Sequence, residues 1–276
     1  MSQTPRVLAI LALAVLAGCG GSKSATQSSP SPAAPTATAS PTIAAAAATA
    51  APSAAPTATG TPDPLAAVKF TDISGNVAEQ IIKQEAAAGV FGTKTGAFRP
   101  YDPLTRAEFV RWLVRSNNAM AQGNTSSMIR LADPSSDVTF VDVPKSNPDF
   151  PYIQGMANAG YVIGVDSKHF APGRNITREE LVAIFVSRMV GSNIKPSTPD
   201  QIAGDVGLSD AQDISKPYWG AIESDHWSGL FGSNHVLNRV YGSIKVFHPH
   251  KFATRTDAAL AVQTFGGSDI SRAVPQ

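Results

Sequence analysis

Three short stretches of the chain place an arginine between a threonine and an acidic residue. They lie at residues 104–109, 176–181 and 253–258. The flanking pairs are Thr105 with Glu108, Thr177 with Glu180, and Thr254 with Asp257. A threonine followed three positions later by a carboxylate has capping-box spacing, in which each side chain satisfies a backbone N–H at a helix start. The spacing predicts a helix after each stretch, with a weaker box where the shorter aspartate replaces glutamate.

The arginines of these stretches, Arg106, Arg178 and Arg255, fall at the first helical position. A cation there opposes the positive end of the helix dipole, at a cost of roughly 0.3–1 kcal/mol. An arginine beside unpaired N–H groups is also a good receptor for a carboxylate or a phosphate. The pattern therefore suggests three anion sites. The alternative is that the arginines are solvated remnants of sequence duplication.

Composition restricts the classes of function. The 276 residues contain 22 Lys+Arg against 21 Asp+Glu, a net charge of +1, which offers no general attraction to nucleic acid. The single cysteine, Cys19, excludes an internal disulfide and a cysteine-based zinc cluster. His248 and His250 flank a proline and lack an evident third ligand, so neither a metal nor a cofactor is expected. A glycosidase-type carboxylate pair stays open from sequence, although Glu108 and Glu180 are already accounted for as caps.

The N-terminal 64 residues resemble a targeting segment followed by a spacer. Residues 1–18 combine Arg6 with a short apolar run at 7–16, which suits a signal peptide and is too short to span a bilayer. The sequence Leu16-Ala17-Gly18-Cys19 resembles a bacterial lipobox, in which the cysteine carries lipid; an ordinary signal peptide is the alternative. Residues 19–64 are mainly Ala, Pro, Thr and Ser, a composition typical of a disordered spacer.

The remainder of the chain repeats itself. The first half of each unit carries Phe70-Thr71-Asp72, Phe140-Val141-Asp142 or Leu208-Ser209-Asp210, and the second half carries Phe98-Arg99-Pro100, Phe170-Ala171-Pro172 or Phe247-His248-Pro249. Each of the latter phenylalanines precedes its threonine by seven residues and is expected in the core. The aspartates are expected to cap local turns. Units of about 50 residues bury too little surface alone, so three are expected to pack together.

These repeats define the predicted fold class and boundaries. Each unit reads as helix–loop–helix, so the fold is expected to be mainly α. The expected units are 65–120, 136–192 and 205–267, followed by a tail at 268–276. The connectors at 116–139 and 191–207 read as polar loops, and residues 233–246 as an insertion in the third unit.

Taken together, Phe-x-Asp, a short helix, glycine turns, Phe-x-Pro and Thr-Arg-Ala-Glu resemble the S-layer homology domain in tandem triplicate. The resemblance covers about residues 68–267, and the third copy departs through Thr254-Arg255-Thr256-Asp257 and the insertion. The resemblance implies a pseudo-threefold, mainly helical bundle that binds acidic, often pyruvylated, wall polysaccharide in grooves between repeats. It also implies that Arg106, Arg178 and Arg255 contact the ketal carboxylate.

The resulting expectation is a non-catalytic lipoprotein of the bacterial envelope, on the extracytoplasmic side. It would join a membrane, through lipid on Cys19, to polysaccharide linked to peptidoglycan, with no nucleic-acid partner. The alternatives are an envelope module that binds a protein or an exopolysaccharide, and a wall-modifying enzyme. The enzyme is disfavoured because no residues are left over for a separate catalytic domain.

Overall fold

A computed structural model of the protein describes residues 63–162, 164–227, 235–265 and 268–275. The expected signal peptide, Cys19 and nearly all of the expected spacer lie outside these residues. The described part is mostly helical, as the repeat pattern predicted. Within it, no helix is long and apolar enough to cross a bilayer.

The helices are α1 (Glu79–Ala87), α2 (Arg106–Met120), α3 (Phe150–Asn158), α4 (Arg178–Val190), α5 (Pro199–Asp205), α6 (Trp219–Trp227), α7 (Val236–Tyr241) and α8 (Arg255–Val262). Strand β1 (Lys69–Phe70) pairs in parallel with β2 (Thr95–Gly96), and β3 (Thr264–Phe265) pairs antiparallel with β4 (Ser268–Asp269). Short 3₁₀ turns occur at Pro64–Ala67, Gly191–Asn193, Ala211–Asp213, Lys216–Tyr218 and Ile270–Ala273.

The three helices that follow the Thr-Arg stretches form the centre of the fold. Helices α2, α4 and α8 contact one another in every pairing, while the other helices pack around them. Helix α2 buries Phe109, Val110 and Leu113, and α4 buries Leu181 and Phe185, all fully. Burying one such side chain contributes roughly 1.5–3 kcal/mol, so this shared core couples units that would be marginal alone.

The Phe-x-Pro phenylalanines occupy the core as predicted. Phe98 is 1% exposed, and Phe170 and Phe247 are fully buried. Phe98 lies 5.9 Å from the ring of Trp112 and 5.4 Å from that of Phe70 between centroids. These aromatic contacts attach each Phe-x-Pro loop to its own unit.

The first-half aspartates do not cap local turns, and that prediction was wrong. Asp72 accepts the backbone N–H groups of Phe98 and Arg99 at 2.7 Å each, across 26 and 27 residues. Asp142 does the same for Phe170 and Ala171, and Asp210 for Phe247 and His248. The physical reason is that two adjacent N–H groups converge on one carboxylate in each loop.

The residue between phenylalanine and proline adopts a left-handed backbone in all three loops. Its φ is 59° at Arg99, 58° at Ala171 and 53° at His248. Such a conformation costs a non-glycine residue on the order of 1–3 kcal/mol and persists only where surrounding contacts fix it. The aspartate of each unit supplies those contacts, since it binds the N–H of the strained residue itself.

The regions expected to be polar connectors contain additional structure. Helix α5 lies within 191–207; Thr198 caps it by accepting the N–H of Gln201, and Ile202 is fully buried. Helix α7 lies in the expected insertion, and the Asp225 carboxylate accepts the N–H groups of Val236 and Leu237. Both helices are shorter than eight residues. That length is too short for a clear periodic pattern.

Three boundaries also differ from expectation. The apolar residues Val77, Ile81 and Ile82 predict one helix in the first unit, but α1 begins at Glu79 and Val77 is 88% exposed. The spacing of Ala258, Ala261 and Phe265 predicts one amphipathic helix in the third unit, but α8 ends at Val262 and Phe265 belongs to β3. Residues 268–276 were expected to be a tail, but β4 pairs with β3 and Ile270 is fully buried.

Candidate functional site

All three helix starts contain the predicted capping box. The threonine hydroxyls of Thr105, Thr177 and Thr254 accept the N–H groups of Glu108, Glu180 and Asp257 at 3.1, 3.4 and 3.1 Å. The carboxylates of Glu108, Glu180 and Asp257 accept the N–H groups of those threonines at 3.4, 3.0 and 3.0 Å. The third box, expected to be weaker, closes with distances as short as the others.

The remaining N–H groups at these starts are bound by the neighbouring unit. The first two N–H groups of α2 donate to the carbonyls of Arg174 and Pro172 at 2.9 and 3.1 Å, and α4 and α8 do the same with Lys251 and Pro249, and with Asp102 and Pro100. The expectation of unpaired N–H groups available to an anion was therefore wrong. Backbone carbonyls from the next Phe-x-Pro loop occupy them.

These contacts run around the molecule in one direction. The first N–H groups of α2 bind carbonyls of loop 171–176, and we call this contact junction A. The start of α4 binds loop 248–253 in the same way, at junction B, and the start of α8 binds loop 99–104, at junction C. Bridges at Thr105–Asn175, Thr177–Phe252 and Pro103–Thr254 repeat at the three junctions. The third unit therefore closes back onto the first.

At junction A, Arg106 is enclosed by protein. Its side chain is 1% exposed, its Nε donates to the Phe170 carbonyl at 2.8 Å, and its guanidinium lies 4.7 Å from the Phe170 ring centroid. Its Nη1 lies 3.2 Å from Oε1 of Glu180, the capping carboxylate of the next unit. Burial lowers the pKa of Arg106, and the charge of Glu180 opposes that shift.

Glu180 also gathers other donors at junction A. Arg174 pairs with Oε1, and the Tyr218 hydroxyl donates to the same oxygen at 3.3 Å. Burial would raise the pKa of Glu180, but the charge of Arg106 and the bonds from Thr177 and Arg174 hold it below its ordinary value. Glu180 is therefore ionised and fully engaged at neutral pH.

Junction C repeats this arrangement. Arg255 donates from Nε to the Phe98 carbonyl at 2.6 Å and pairs through Nη1 with Oε1 of Glu108 at 2.8 Å. Its guanidinium lies 5.1 Å from the Phe98 ring centroid and 4.7 Å from that of Trp112. As at junction A, the arginine joins one unit to the capping glutamate of the next.

Junction B differs because its capping residue is Asp257. Arg178 donates from Nη1 to the Phe247 carbonyl at 2.9 Å and lies 4.4 Å from the Tyr241 ring centroid. Among the described residues it has no ion pair within 4.0 Å, and its Nε is buried without a hydrogen-bond partner. The shorter aspartate fills its own capping box but does not reach Arg178.

Two further buried groups lie near Arg178. Burial raises the pKa of Asp257, and the N–H of Thr254 and the charge of Arg178 only partly offset it. The buried Tyr241 hydroxyl has no hydrogen-bond partner in the described part of the chain. In the sequence, Asp257 lies two residues after Arg255, in the same motif. In the structure its shorter side chain affects Arg178 instead, because each capping carboxylate serves the arginine of the preceding unit.

The junction B loop also lines a pocket of about 480 Å³ that sequence analysis missed. Its walls are Asp210, Asp213, His248, Pro249, His250 and Lys251. His250 Nε2 lies 3.6 Å from Oε1 of Glu179 and 3.4 Å from Ser215 Oγ. The loop's position after Phe-x-Pro was the available signal, since the same loop receives the start of α4. Among the described residues, no group of three His, Cys, Asp or Glu side chains is placed to hold a metal ion.

Comparison with known proteins identifies the class. The S-layer homology domain matches residues 69–110 and 139–182, which include Arg106, Arg178 and the boxes of α2 and α4. The chain therefore contains S-layer homology domains at these two regions. Such domains bind cell-wall polymers, which supports a cell-wall anchoring role and a location at the cell surface.

A curated relative is the endoglucanase of Bacillus sp. (strain KSM-635). The two are 27% identical over 202 residues, which cover 73% of this chain and 18% of the relative. The aligned part of the chain thus spans less than a fifth of the length of that protein.

Proposed function

We propose that the protein is a non-catalytic envelope lipoprotein that joins a membrane to the cell wall by binding acidic, pyruvylated polysaccharide. The family match over the first two units supports the wall-binding half of this proposal. The tether requires lipid on Cys19 and a spacer over residues 19–64, for which the support is the sequence pattern described above.

The observation that carries the proposal is that Arg178, at junction B, has no ion pair among the described residues, whereas Arg106 and Arg255 each hold the capping glutamate of the next unit. Arg178 is only partly buried, so a sugar carboxylate can supply the missing negative charge. A charge-assisted bond of this kind contributes roughly 1.5–3 kcal/mol, on the order of tenfold to over a hundredfold in affinity.

Under this proposal the three arginines divide their roles. Arg178 is the first ligand contact, beside the pocket of His248, His250 and Lys251. Direct contacts from Arg106 and Arg255 stay predictions, because each requires a sugar carboxylate to replace Glu180 or Glu108.

We also propose that the third unit is an S-layer homology repeat, although the family match covers the first two. Its support is the repeated geometry. Asp210 binds the loop at Phe247 and His248, Thr254 caps α8, and the unit bridges to both neighbours. The S-layer homology fold would then extend around the whole ring.

The absence of catalysis is part of the proposal. The motif carboxylates of Glu108 and Glu180 are occupied by their capping boxes and by Arg255 and Arg106. Because the chain aligns with only 18% of the endoglucanase, the activity in that protein's name does not transfer to it.

The wall-binding half is tested by co-sedimentation of the full chain with purified cell walls, before and after mild acid removal of ketals. Arg178→Gln should bind untreated walls at least about tenfold more weakly than wild type. Arg130→Gln, at an exposed arginine outside the junctions, should bind like wild type. Equal binding by wild type and Arg178→Gln would contradict the role of this arginine. No binding to walls would favour the protein or exopolysaccharide partner.

The tethering half has its own test. Cys19→Ser should move the protein from the membrane fraction to the soluble extracytoplasmic fraction, and wall binding should be retained. Continued recovery of the variant with membrane would show that another element provides the anchor.

A further inference from the structure

A second pocket lies at the opposite end of the central helices from the junctions. It has a volume of about 490 Å³ and is formed by the C-terminal ends of α2 and α4 together with β4 and the turn that follows. We call it the distal pocket. Helix α2 has 15 residues, so the pocket is roughly 20 Å from Arg106. Its volume falls within the range of small-molecule sites, about 300–1,000 Å³.

One wall of the distal pocket presents a fixed guanidinium. Arg188, in the last turn of α4, donates from Nη2 to Oδ1 of Asn117 at 2.7 Å and lies 4.8 Å from the Tyr161 ring centroid. Asn117 is in turn bound to the Ser127 carbonyl at 3.1 Å. These contacts hold Arg188 in place before any ligand arrives. Burial lowers the pKa of this arginine, which means that its charge is incompletely solvated.

A second guanidinium belongs to the C-terminal turn. Arg272 is exposed on the turn Ile270–Ala273, which is anchored by the fully buried Ile270. The side chain of Gln122 donates to the Arg272 carbonyl and connects this turn to the end of α2. Gln122 itself has a φ of 47°, a strained left-handed conformation for a non-glycine residue. Gln122 follows the C-cap residue of α2, a position at which a left-handed residue ends many helices, and its side chain connects this helix end to the C-terminal turn.

The rest of the lining adds polar groups and a small apolar surface. Amides come from Asn117, Gln122 and Asn124, hydroxyls from Ser127 and Ser268, and apolar surface from Met120 and Met189. None of the described lining residues is acidic. Two arginines line the pocket, and a guanidinium suits the bidentate binding of a carboxylate. Amides and hydroxyls suit sugar hydroxyls, and methionine suits the C–H face of a sugar ring.

We propose that the distal pocket binds a hexuronic acid residue, a sugar that carries a carboxylate, with Arg188 and Arg272 on the carboxylate and the amides on the ring hydroxyls. This site is separate from junction B and does not depend on the proposed function. A simpler account of Arg188 alone is that a cation stabilises the C-terminus of α4. That account does not explain why Arg272, which belongs to the separate turn Ile270–Ala273, lines the same pocket.

The test measures the binding of D-glucuronate, D-glucose and acetate to the full chain by NMR titration. Glucuronate should bind at least about tenfold more tightly than either of the others. Arg272→Gln should weaken glucuronate binding about tenfold or more, since this residue is exposed and its loss leaves the core intact. Arg272→Lys keeps the charge but loses the two parallel N–H donors of the guanidinium. Its affinity for glucuronate should lie between those of wild type and Arg272→Gln. Arg130→Gln, at an exposed arginine outside both sites, should bind glucuronate like wild type.

Several outcomes would overturn the proposal. Equal binding of glucuronate and acetate would show a general anion site without sugar recognition. Unchanged binding in Arg272→Gln, or binding lost in Arg178→Gln and kept in Arg272→Gln, would place the ligand elsewhere. Wall co-sedimentation separates the two sites, because Arg272→Gln should lose glucuronate binding at the distal pocket while it still binds walls through junction B.

Discussion

Arg106 and Glu180 form a buried ion pair between the starts of two successive central helices, with Nη1 and Oε1 3.2 Å apart and side chains 1% and 4% exposed. Arg255 and Glu108 form the corresponding pair at junction C. These pairs explain how an arginine is tolerated at the first position of a helix. The guanidinium pairs with the capping carboxylate of the next unit, and that negative charge offsets the unfavourable interaction with the arginine's own helix dipole.

Arg106→Ala should destabilise the fold, although the helix dipole alone would predict a neutral or slightly stabilising effect. The substitution leaves Glu180 charged and largely buried, and breaking a buried pair in this way costs about 3–5 kcal/mol. Urea unfolding followed by circular dichroism measures the change, with Arg130→Ala as the exposed control. An unchanged unfolding midpoint would show that Arg174 alone satisfies Glu180.

The same pair predicts how stability varies with pH. The folded pKa of Glu180 lies below its ordinary value of 4.5, so its contribution is complete above about pH 4.5 and is lost as the pH falls through the folded pKa. The difference in free energy of unfolding between wild type and Glu180→Gln should therefore shrink on acidification below 4.5. Urea titrations at stepped pH values measure it. A difference independent of pH would mean that Glu180 contributes through shape and capping alone.

Asp257→Glu should form, at junction B, the arginine–carboxylate ion pair that junctions A and C already contain. The added methylene extends the carboxylate toward Arg178, as Glu180 reaches Arg106 and Glu108 reaches Arg255. If Arg178 is the ligand contact, wall binding should fall by about tenfold or more, because an internal carboxylate then competes with the sugar. Glu180→Asp is the matched control, since it opens junction A and should not weaken binding. Unchanged wall binding by Asp257→Glu, with its fold intact, would argue against Arg178.

Glu85→Met should stabilise the protein at neutral pH. Glu85 on α1 is fully buried, and neither carboxylate oxygen has a hydrogen-bond partner among the described residues. Burial raises its pKa well above 4.5, with Arg239 opposing and Asp269 adding to the shift. An uncompensated buried polar group costs roughly 1–3 kcal/mol, which an apolar side chain of similar volume avoids.

The measurement for Glu85 is the thermal midpoint of the variant against wild type over a range of pH. Because a raised folded pKa gives stability that is present at low pH and lost as pH rises, the gain from Glu85→Met should grow from acidic to neutral pH. A lower midpoint at pH 7 would indicate a buried water or a contact that Glu85 needs.

Local patterns in the sequence were enough to predict some of this structure. Thr105 and Glu108 are three residues apart, so their capping box forms within one turn of helix and is visible in the sequence. The constant spacing between Phe98 and Thr105 likewise indicated a core position that recurs in each unit. The partners of Arg106 and Asp72 could not be predicted in this way. Glu180 comes beside Arg106 only after two units pack, and its identity depends on the direction in which the ring closes. Phe98 lies in the same unit as Asp72 but 26 residues away, beyond the reach of a local pattern.

The composition of the segments between units predicted polar loops, and this prediction was wrong for residues 191–207. Residues 191–207 are rich in polar and small residues, yet Thr198 and Pro199 begin a helix that buries Ile202. The sequence also does not show which arginine lacks an ion pair when the capping residue is Asp257. A motif read along the chain associates Asp257 with Arg255, whereas in the structure it belongs beside Arg178.

The bridge between Pro103 and Thr254, with the bond from Asn76 Nδ2 to Thr256 Oγ1 at 3.1 Å, attaches the last unit to the first. An open solenoid has two end units and can gain or lose repeats at either one. A closed circle of three has neither property: a fourth copy has no place to insert, and loss of one copy exposes two interfaces at once. Evolution of this chain by further duplication is thus blocked within the ring, while change remains open in its loops, where junction B already departs from its neighbours.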